Sequence, residues 1–459
     1  MKHTRRDFLV GSGCLALSGA AYASSLDKLS LMNLFAQANR NGTGDYKALV
    51  CIFLFGGNDA NNMIVPYDNF ADYQAVRGSA GFFIPQSDLL QIPAPSQGAA
   101  FGLPNRPPYN TTGMQTLYNT GKLAFVCNVG TLTQPLDRKT YLSRPDLRPD
   151  QLFSHSNQQT ENQTGSYQGT SQTGWGGRLA DRIHSTERFP IQVSVAGVTV
   201  YTSAIAERPL VVPPTGPLNQ ALRFDPPRPE TLAAVNTILG LGDATRIGRA
   251  SGAITEDALN TRDQLGTDPT VGAFPNSQLG NQLKQIAKFI FLRNDLAGGM
   301  RRQIFFASRG GFDTHANQLN NQGALLSEVS AALEAFDNEL TRQGVQDQVT
   351  TFTLSDFSRT FKIGNQASGT DHAWGSHAMV MGGAVLGQDL YGTYPTLQPD
   401  GPDDVDTGTN ARGRWLPTTG LAQYAATLAR WFGVSDSDLP LIFPNIVNFT
   451  PQYLNFMSM

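Results

Sequence analysis

Apolar residues along this chain gather into short unbroken runs, and several of those runs end in glycine-bearing polar turns. The run "ALVCIFLF" (48–55) passes straight into "GGNDANN". "KLAFVCNVG" follows a short helical stretch, "GMQTLYNT", and "FPIQVSVAG" follows "WGGRLADRIHST". "RRQIFFAS" follows a helical segment over 278–295, and "QVTTFTLSDF" follows "ALLSEVSAALEAFDNELTRQG". In that last helix Leu326, Val329, Leu333, Phe336 and Leu340 recur every three or four residues, which makes one apolar stripe with acids on the other face. Its closing "RQG" supplies a cation and a C-terminal glycine. Strands that are apolar throughout are buried on both faces, as in parallel sheets. The alternation of strand and helix therefore predicts an α/β fold, with a mostly parallel central sheet and helices on both faces. Function is expected at the carboxyl edge of that sheet.

Two regions break the pattern. From about 199 to 275 the chain is rich in Pro, Thr and Gly, with one clear helix in "PETLAAVNTIL", and reads as a loop-rich insertion. The start, "MKHTRRDFLVGSGCLALSGAAYA", pairs Arg5 with Arg6, continues into a weakly apolar run and ends on Ala21-Tyr22-Ala23. Residues 1–23 thus predict a twin-arginine signal peptide, a periplasmic or otherwise exported product, and the twin-arginine export machinery as a partner. Residues 24–45 read as a polar linker and 46–459 as a single domain carrying the insertion.

Composition narrows the function classes. The net charge is −3 with no basic run, which argues against a nucleic-acid partner. No apolar stretch reaches the roughly 20 residues of a membrane span. Cys51 and Cys127 lie in strand-like runs, where they are either joined, as export would permit, or buried as free thiols.

The candidate chemistry is histidine and aspartate. The chain has six histidines. His155, His315, His372 and His377 all fall in predicted loop motifs, and His184 falls late in a helix. "GGNDANN" offers Asp59 and Asn62, "RGGFDTHANQ" offers Asp313 and His315, "LSDFSRT" offers Asp356 and Arg359, and "GTDHAWGSH" offers His372 and His377. Parallel strands would bring most of these turns to one edge. Aspartate and histidine together suit a divalent ion of zinc or manganese type, one ion or two. Arg359 could clamp a phosphate or sulfate. Each motif also has a plainer use: an Asx-turn at Asp59, a cap at Asp313, an ion pair between Asp356 and Arg359, a polar turn around His372 and His377. Ser154, before His155 in "FSHSNQQTENQTG", is either a nucleophile at a helix start or an ordinary capping serine.

Taken in order, "FLFGGNDANNMIVPYD", "SHSNQQTENQTG", "TGWGGRLAD", "GGFDTHANQ", "TLSDFSRT", "GTDHAWGSHAMVMGGAVLGQDLYGTYP" and "QYAATLARWFGVSDSDLPLIFPNIVNF" resemble the exported family catalogued as domain of unknown function 1501, placed in the alkaline phosphatase and sulfatase superfamily. The stretch 199–275 has no counterpart in that resemblance. The resemblance implies an alkaline-phosphatase-like fold with metal at the carboxyl edge. It implies metal ligands at Asp59, Asp313, His315 and Asp356, with His372 and His377 competing for a late ligand position, and Ser154 as nucleophile. The chain departs from the superfamily pattern in three ways. One residue separates Asp313 from His315 where phosphatases have three. Phe357 stands where a histidine is expected. The sulfatase Cys-x-Pro-x-Arg signature is missing.

These readings converge on an exported metal-dependent hydrolase of small phosphate or sulfate esters. Asp59, Asp313, His315, Asp356, His372 and His377 would hold the metal, and Ser154 and Arg359 would act in catalysis. Asn62 and His155 would contact the substrate. The competing expectation is a non-catalytic exported binding or assembly protein on the same fold. A metal-free serine–histidine hydrolase ranks last, because no Gly-x-Ser-x-Gly elbow is present.

Overall fold

The first apolar run becomes β1 (Lys47–Leu54), seven of whose eight residues are buried, and it lies inside a nine-stranded sheet. The computed structural model describes residues 46–183, 189–218, 268–296, 299–364 and 368–459, together with Thr261, Gln264 and Leu265. The expected signal and linker (1–45), His184 and the helix expected in "PETLAAVNTIL" lie outside the described residues.

The remaining strands follow in chain order: β2 (Val65–Pro66), β3 (Leu89–Ala94), β4 (Ala99–Pro104), β5 (Leu123–Gly130), β6 (Gln192–Ser194), β7 (Leu210–Val211), β8 (Arg302–Arg309), β9 (Val349–Ser355), β10 (Ser376–Met381), β11 (Leu390–Tyr391) and β12 (Thr419–Gly420). The helices used below are α1 (Ala60–Met63), α2 (Phe70–Arg77), α3 (Thr112–Asn119), α4 (His155–Thr164), α5 (Trp175–Ile183), α6 (Gln278–Phe291), α7 (Gln318–Arg342) and α8 (Leu421–Phe432). The main sheet runs β11-β5-β10-β9-β1-β8-β6-β7, with β12 beside β5, and β2-β4-β3 form a small antiparallel sheet. Helices flank the main sheet: α7 packs on both α6 and α3, and α8 packs on β1 and β5.

The sheet is mostly parallel, as its unbroken apolar strands predict, with one exception. β10 runs antiparallel to both β5 and β9. That reversal matters for the site. β1, β8 and β9 are parallel and in register, with Leu54 opposite both Arg309 and Ser355, so their following turns leave the same edge. Because β10 runs the other way, the loop entering it, 369–375, arrives at that edge as well.

Glycine lets these turns close on one another. Gly56 has φ 114°, and a Cβ there would lie 2.2 Å from the Asp313 backbone nitrogen. A Cβ on Gly369 would lie 2.1 Å from the His315 carbonyl carbon. Any side chain at either position forces two backbones apart.

Three differences from the sequence reading have simple causes. β6 keeps only three residues of "FPIQVSVAG", because only Gln192–Ser194 pair with β8. α7 starts at Gln318, six residues before the apolar stripe suggests, because Gln318 and Gln322 face inward and bond buried groups. Cys51 and Cys127 are buried free thiols. They sit on strands separated by β9 and β10, three strand spacings or about 14 Å, beyond the reach of a disulfide.

Candidate metal centre

Four side chains from three segments converge at the carboxyl edge. His155 is the first residue of α4, Asp313 and His315 come from the turn after β8, and His372 comes from the loop entering β10. His155 Nε2 and His372 Nε2 are 3.0 Å apart. Asp313 Oδ1 lies 3.4 Å from His155 Nε2 and 3.6 Å from His372 Nε2. His315 Nε2 adds a fourth donor, 3.1 Å from His372 Nε2 and 3.0 Å from Asp313 Oδ1. His155, Asp313 and His372 together form a group able to share one ion. Ligands on a zinc of the usual bond lengths stand roughly 3.3 Å from one another, which matches these separations.

The far side of each ring decides which nitrogen is available. His155 Nδ1 lies 2.7 Å from Asp356 Oδ2, and His372 Nδ1 lies 2.8 Å from the Phe153 carbonyl oxygen. Both partners are acceptors only, so each Nδ1 carries the proton and donates. The Nε2 atoms therefore present lone pairs to each other. Two lone pairs at 3.0 Å need positive charge between them, either a shared proton or a cation. His315 has the same arrangement in looser form, with Nδ1 3.3 Å from Asp371 Oδ1. Imidazoles backed by a carboxylate or carbonyl on the distal nitrogen are what metal sites use to fix tautomer and ring orientation. Phe153 holds φ 74°, a conformation rare for a bulky residue, in the segment that turns its carbonyl toward His372.

Electrostatics polarise the cluster. The hydrogen bond from His155 to Asp356, helped by the Asp356 and Asp313 charges, holds the His155 imidazole above its ordinary range despite burial. Burial lowers His372, and the charges of His155 and Arg359 lower it further. Burial alone would raise Asp313, but the Arg359 hydrogen bond and charge, with His155 and His315, outweigh it and keep the carboxyl low. Asp313 is 46% exposed and His315 38%, so the cluster opens to solvent on one side.

The structure separates the expected site residues into two sets. Asp313, His315 and His372 come together, and His155, expected on the substrate, joins them as a donor. Asp356 stands one step back. Its Oδ2 accepts from His155 and from Gln159 Nε2 (2.7 Å), and its Oδ1 accepts the Gly56 N–H (3.1 Å). Asp59 is closed off: Arg77 Nη1 at 2.7 Å, Gln318 Nε2 at 2.6 Å and Asn61 Nδ2 at 3.1 Å take its oxygens, and it is fully buried. His377 is also elsewhere. As the second residue of β10 it is buried, accepts the Asn128 N–H at Nδ1 (3.0 Å), and burial pushes its pKa down to about 3.

Arg359 and Asn62, expected in catalysis and on the substrate, are buried and engaged by other residues of the chain. Arg359 has no side-chain exposure and donates to Asp313 Oδ1 (2.8 Å), the Gly56 carbonyl (3.1 Å), Thr370 Oγ1 (3.2 Å) and the Thr370 carbonyl. Asn62 Oδ1 accepts from Tyr73 (2.7 Å) and from Arg77. Ser154 occupies the N-cap of α4 without capping it; its hydroxyl bonds Ser156 (3.2 Å) and Asn157 (3.1 Å).

Phe357, at the expected histidine position, packs its ring 4.8 Å from His155 and 4.7 Å from His372. It is an apolar wall for the two rings. Asp371, the aspartate just before His372 in "GTDHAWGSH", also supports the cluster, as do Gln159 and Phe153, which no local sequence signal marks.

The model of the family described as protein of unknown function (DUF1501) matches residues 114–413. The chain belongs to that family. The matched span holds all four cluster residues and Asp356; β1 precedes it and α8 follows it. Among solved structures, similar layouts include the lipoteichoic acid synthase LtaP from Listeria monocytogenes, with 9% identity over 82% of this chain and 76% of that one, at a TM-score of 0.31. A protein in the alkaline phosphatase superfamily from Vibrio parahaemolyticus has 10% identity over 76% and 63%, with TM-score 0.33. The PsFucS1 sulfatase from Pseudoalteromonas sp. has 11% identity over 90% and 72%, with TM-score 0.33. At these TM-scores the likenesses carry no argument about the chemistry of this DUF1501 protein. No curated protein matches it.

Proposed function

We propose that this DUF1501 protein is an exported metal-dependent hydrolase of phosphate or sulfate esters, built on one divalent ion. The carrying observation is the pair of Nε2 lone pairs on His155 and His372, fixed by Asp356 and the Phe153 carbonyl, with Asp313 beside them. His155, Asp313 and His372 would hold the ion, with His315 as the fourth donor. The donor set, three imidazoles and one carboxylate, suits zinc or manganese. Such an ion supplies Lewis acidity to an ester oxygen or to water.

The chain's own residues supply the rest. Asp356 and Phe153 orient the rings, and Phe357 keeps water from their inner face. Arg359 fixes Asp313 from behind while reducing the negative charge an anionic ester would meet. A single ion is favoured because Asp59 and His377 are engaged elsewhere, which leaves one donor cluster among the described residues. Export rests on the twin-arginine start.

The deciding experiment is a screen of aryl phosphates and sulfates with zinc- and manganese-loaded protein, alongside Asp313→Asn. Turnover that Asp313→Asn lowers by about a hundredfold or more supports the hydrolase, in line with the loss of a metal ligand or its support. The second reading is a structural ion in a non-catalytic binding protein. It draws on Arg359 being buried and fully bonded, unable to grip a substrate anion. A metal-loaded protein inert to every ester would favour it.

A further inference from the structure

Beside the histidine cluster the loop 400–414 is organised around a buried carboxylate. Asp404 is fully buried and accepts four backbone N–H groups: Asp400 (3.0 Å), Asp406 (3.0 Å), Gly413 (2.8 Å) and Arg414 (3.0 Å). Asp406 in turn accepts the Arg412 N–H (3.1 Å) and Arg414 Nη1 (2.9 Å). A carboxylate that gathers this many donors sets the loop's conformation before any ligand arrives.

What the loop presents is positive. Arg412 and Arg414 line an open cleft of about 500 Å³ together with Lys362, Asp406, Thr409 and Asn410. Three cations face one acid there, and Thr409 and Asn410 offer polar side chains. The Lys362 ammonium makes no hydrogen bond or ion pair among the described residues, and the exposed Asp400 carboxylate feels its charge only through space. Arg414 is held rigidly: Nε donates to the His372 carbonyl (2.7 Å), Nη1 pairs with Asp406, and the guanidinium lies 4.8 Å over the Phe153 ring. Its Nη2 is left without a partner among the described residues. A fixed guanidinium edge next to an unpaired ammonium recognises an oxyanion.

The cleft and the cluster share a wall. Asp371 turns Oδ1 toward His315 Nδ1 (3.3 Å) and pairs its other oxygen with Arg412. Arg414 bonds the backbone of His372 itself.

We propose that this cleft is an anion subsite, taking a sulfate, phosphate or carboxylate group between Lys362, Arg412 and Arg414. Binding stands on the cleft alone. Its use rests on the hydrolase reading: there it holds a second anionic group of the ester whose reacting group lies at the histidines. Substrates would then carry at least two negative groups.

The test is calorimetric titration of the full chain with inorganic sulfate and with inorganic phosphate at low ionic strength. Wild type, Lys362→Gln, Lys362→Glu and His155→Ala are compared, each checked without anion for a cooperative thermal transition that shows it is folded. The expected result is saturable binding to wild type, weakened about fivefold or more in Lys362→Gln and lost in Lys362→Glu, as for removal and reversal of a charge-assisted contact. His155→Ala, which dismantles the cluster but touches nothing in the cleft, keeps the binding. Absence of saturable binding to wild type overturns the subsite. So does binding that both Lys362 variants retain, or that His155→Ala abolishes; the latter puts the anion at the cluster and leaves the hydrolase reading standing. Cleft binding in a protein that also takes up no zinc or manganese on dialysis supports the subsite and removes the metal-dependent hydrolase.

Discussion

His155 and His372 meet Nε2 to Nε2 at 3.0 Å, while each donates its other ring proton to an oxygen behind it, Asp356 for one and the Phe153 carbonyl for the other. The two rings come from segments more than two hundred residues apart, the start of α4 and the loop entering β10. That contact defines the site, and it separates residues able to share an ion from residues that only hold them.

Asp356 belongs to the second group. Asp356→Asn should weaken zinc binding by about 10- to 100-fold, the usual effect of losing a partner behind a histidine ligand. Competition with a chromogenic chelator reads this directly. Stoichiometry at saturating zinc should stay at the wild-type value.

Asp59 should behave as a structural acid. It is buried against Arg77, and Asp59→Ala leaves that guanidinium buried without its main charge partner. The expected cost is about 3–5 kcal/mol of stability, seen as a lower urea midpoint. Metal content in the protein that remains folded should not change. A loss of metal at full stability would return Asp59 to the ligand set.

Glu161 gives a pH dependence. It lies in α4, accepts from Gln158 Nε2 at 2.5 Å, and burial lifts its pKa from the ordinary 4.5 to about 9. The folded state therefore keeps a proton that the unfolded chain gives up above pH 4.5. Between pH 4.5 and about 9 the folded state binds more protons, so this group makes stability fall as pH rises through that window. Glu161→Gln, which is always neutral, should remove that fall. Urea midpoints at pH 5, 7 and 9 compare the two proteins, and parallel curves would contradict the assignment.

Ser154 should be dispensable for turnover. Among the described residues its hydroxyl bonds only Ser156 and Asn157, neither of them a base. Under the proposed function, Ser154→Ala keeps ester turnover within about threefold, since an unactivated hydroxyl is a weak nucleophile. A loss of several orders of magnitude would make it the nucleophile instead.

The central strands were legible in the sequence because parallel strands buried on both faces are rich in apolar residues, as Ala48–Leu54 of β1 and Ile304–Ala307 of β8 are; β9 is buried too, although threonines interrupt its apolar positions. The carboxyl edge as the place of chemistry followed from the same pattern. The division of labour among the polar residues did not. Asp313 and Asp356 each follow a strand, yet one side chain is 46% exposed and the other wholly buried, a difference set by Arg359 and Gln159 from other segments. His372 and His377 look interchangeable in "GTDHAWGSH". They part because β10 begins at Ser376, so His377 is carried into the sheet while His372 stays in the loop. His155 read as a substrate contact rather than a cluster member because its partners lie about two hundred residues downstream.

The most direct test is metal content by plasma mass spectrometry, on protein purified without chelator, beside the His155→Ala/His372→Ala double variant. One equivalent of zinc or manganese per chain is expected, and it should be gone from a variant that keeps its circular dichroism and thermal transition. A folded wild-type protein free of metal that also takes up none on dialysis against either ion would contradict the metal centre.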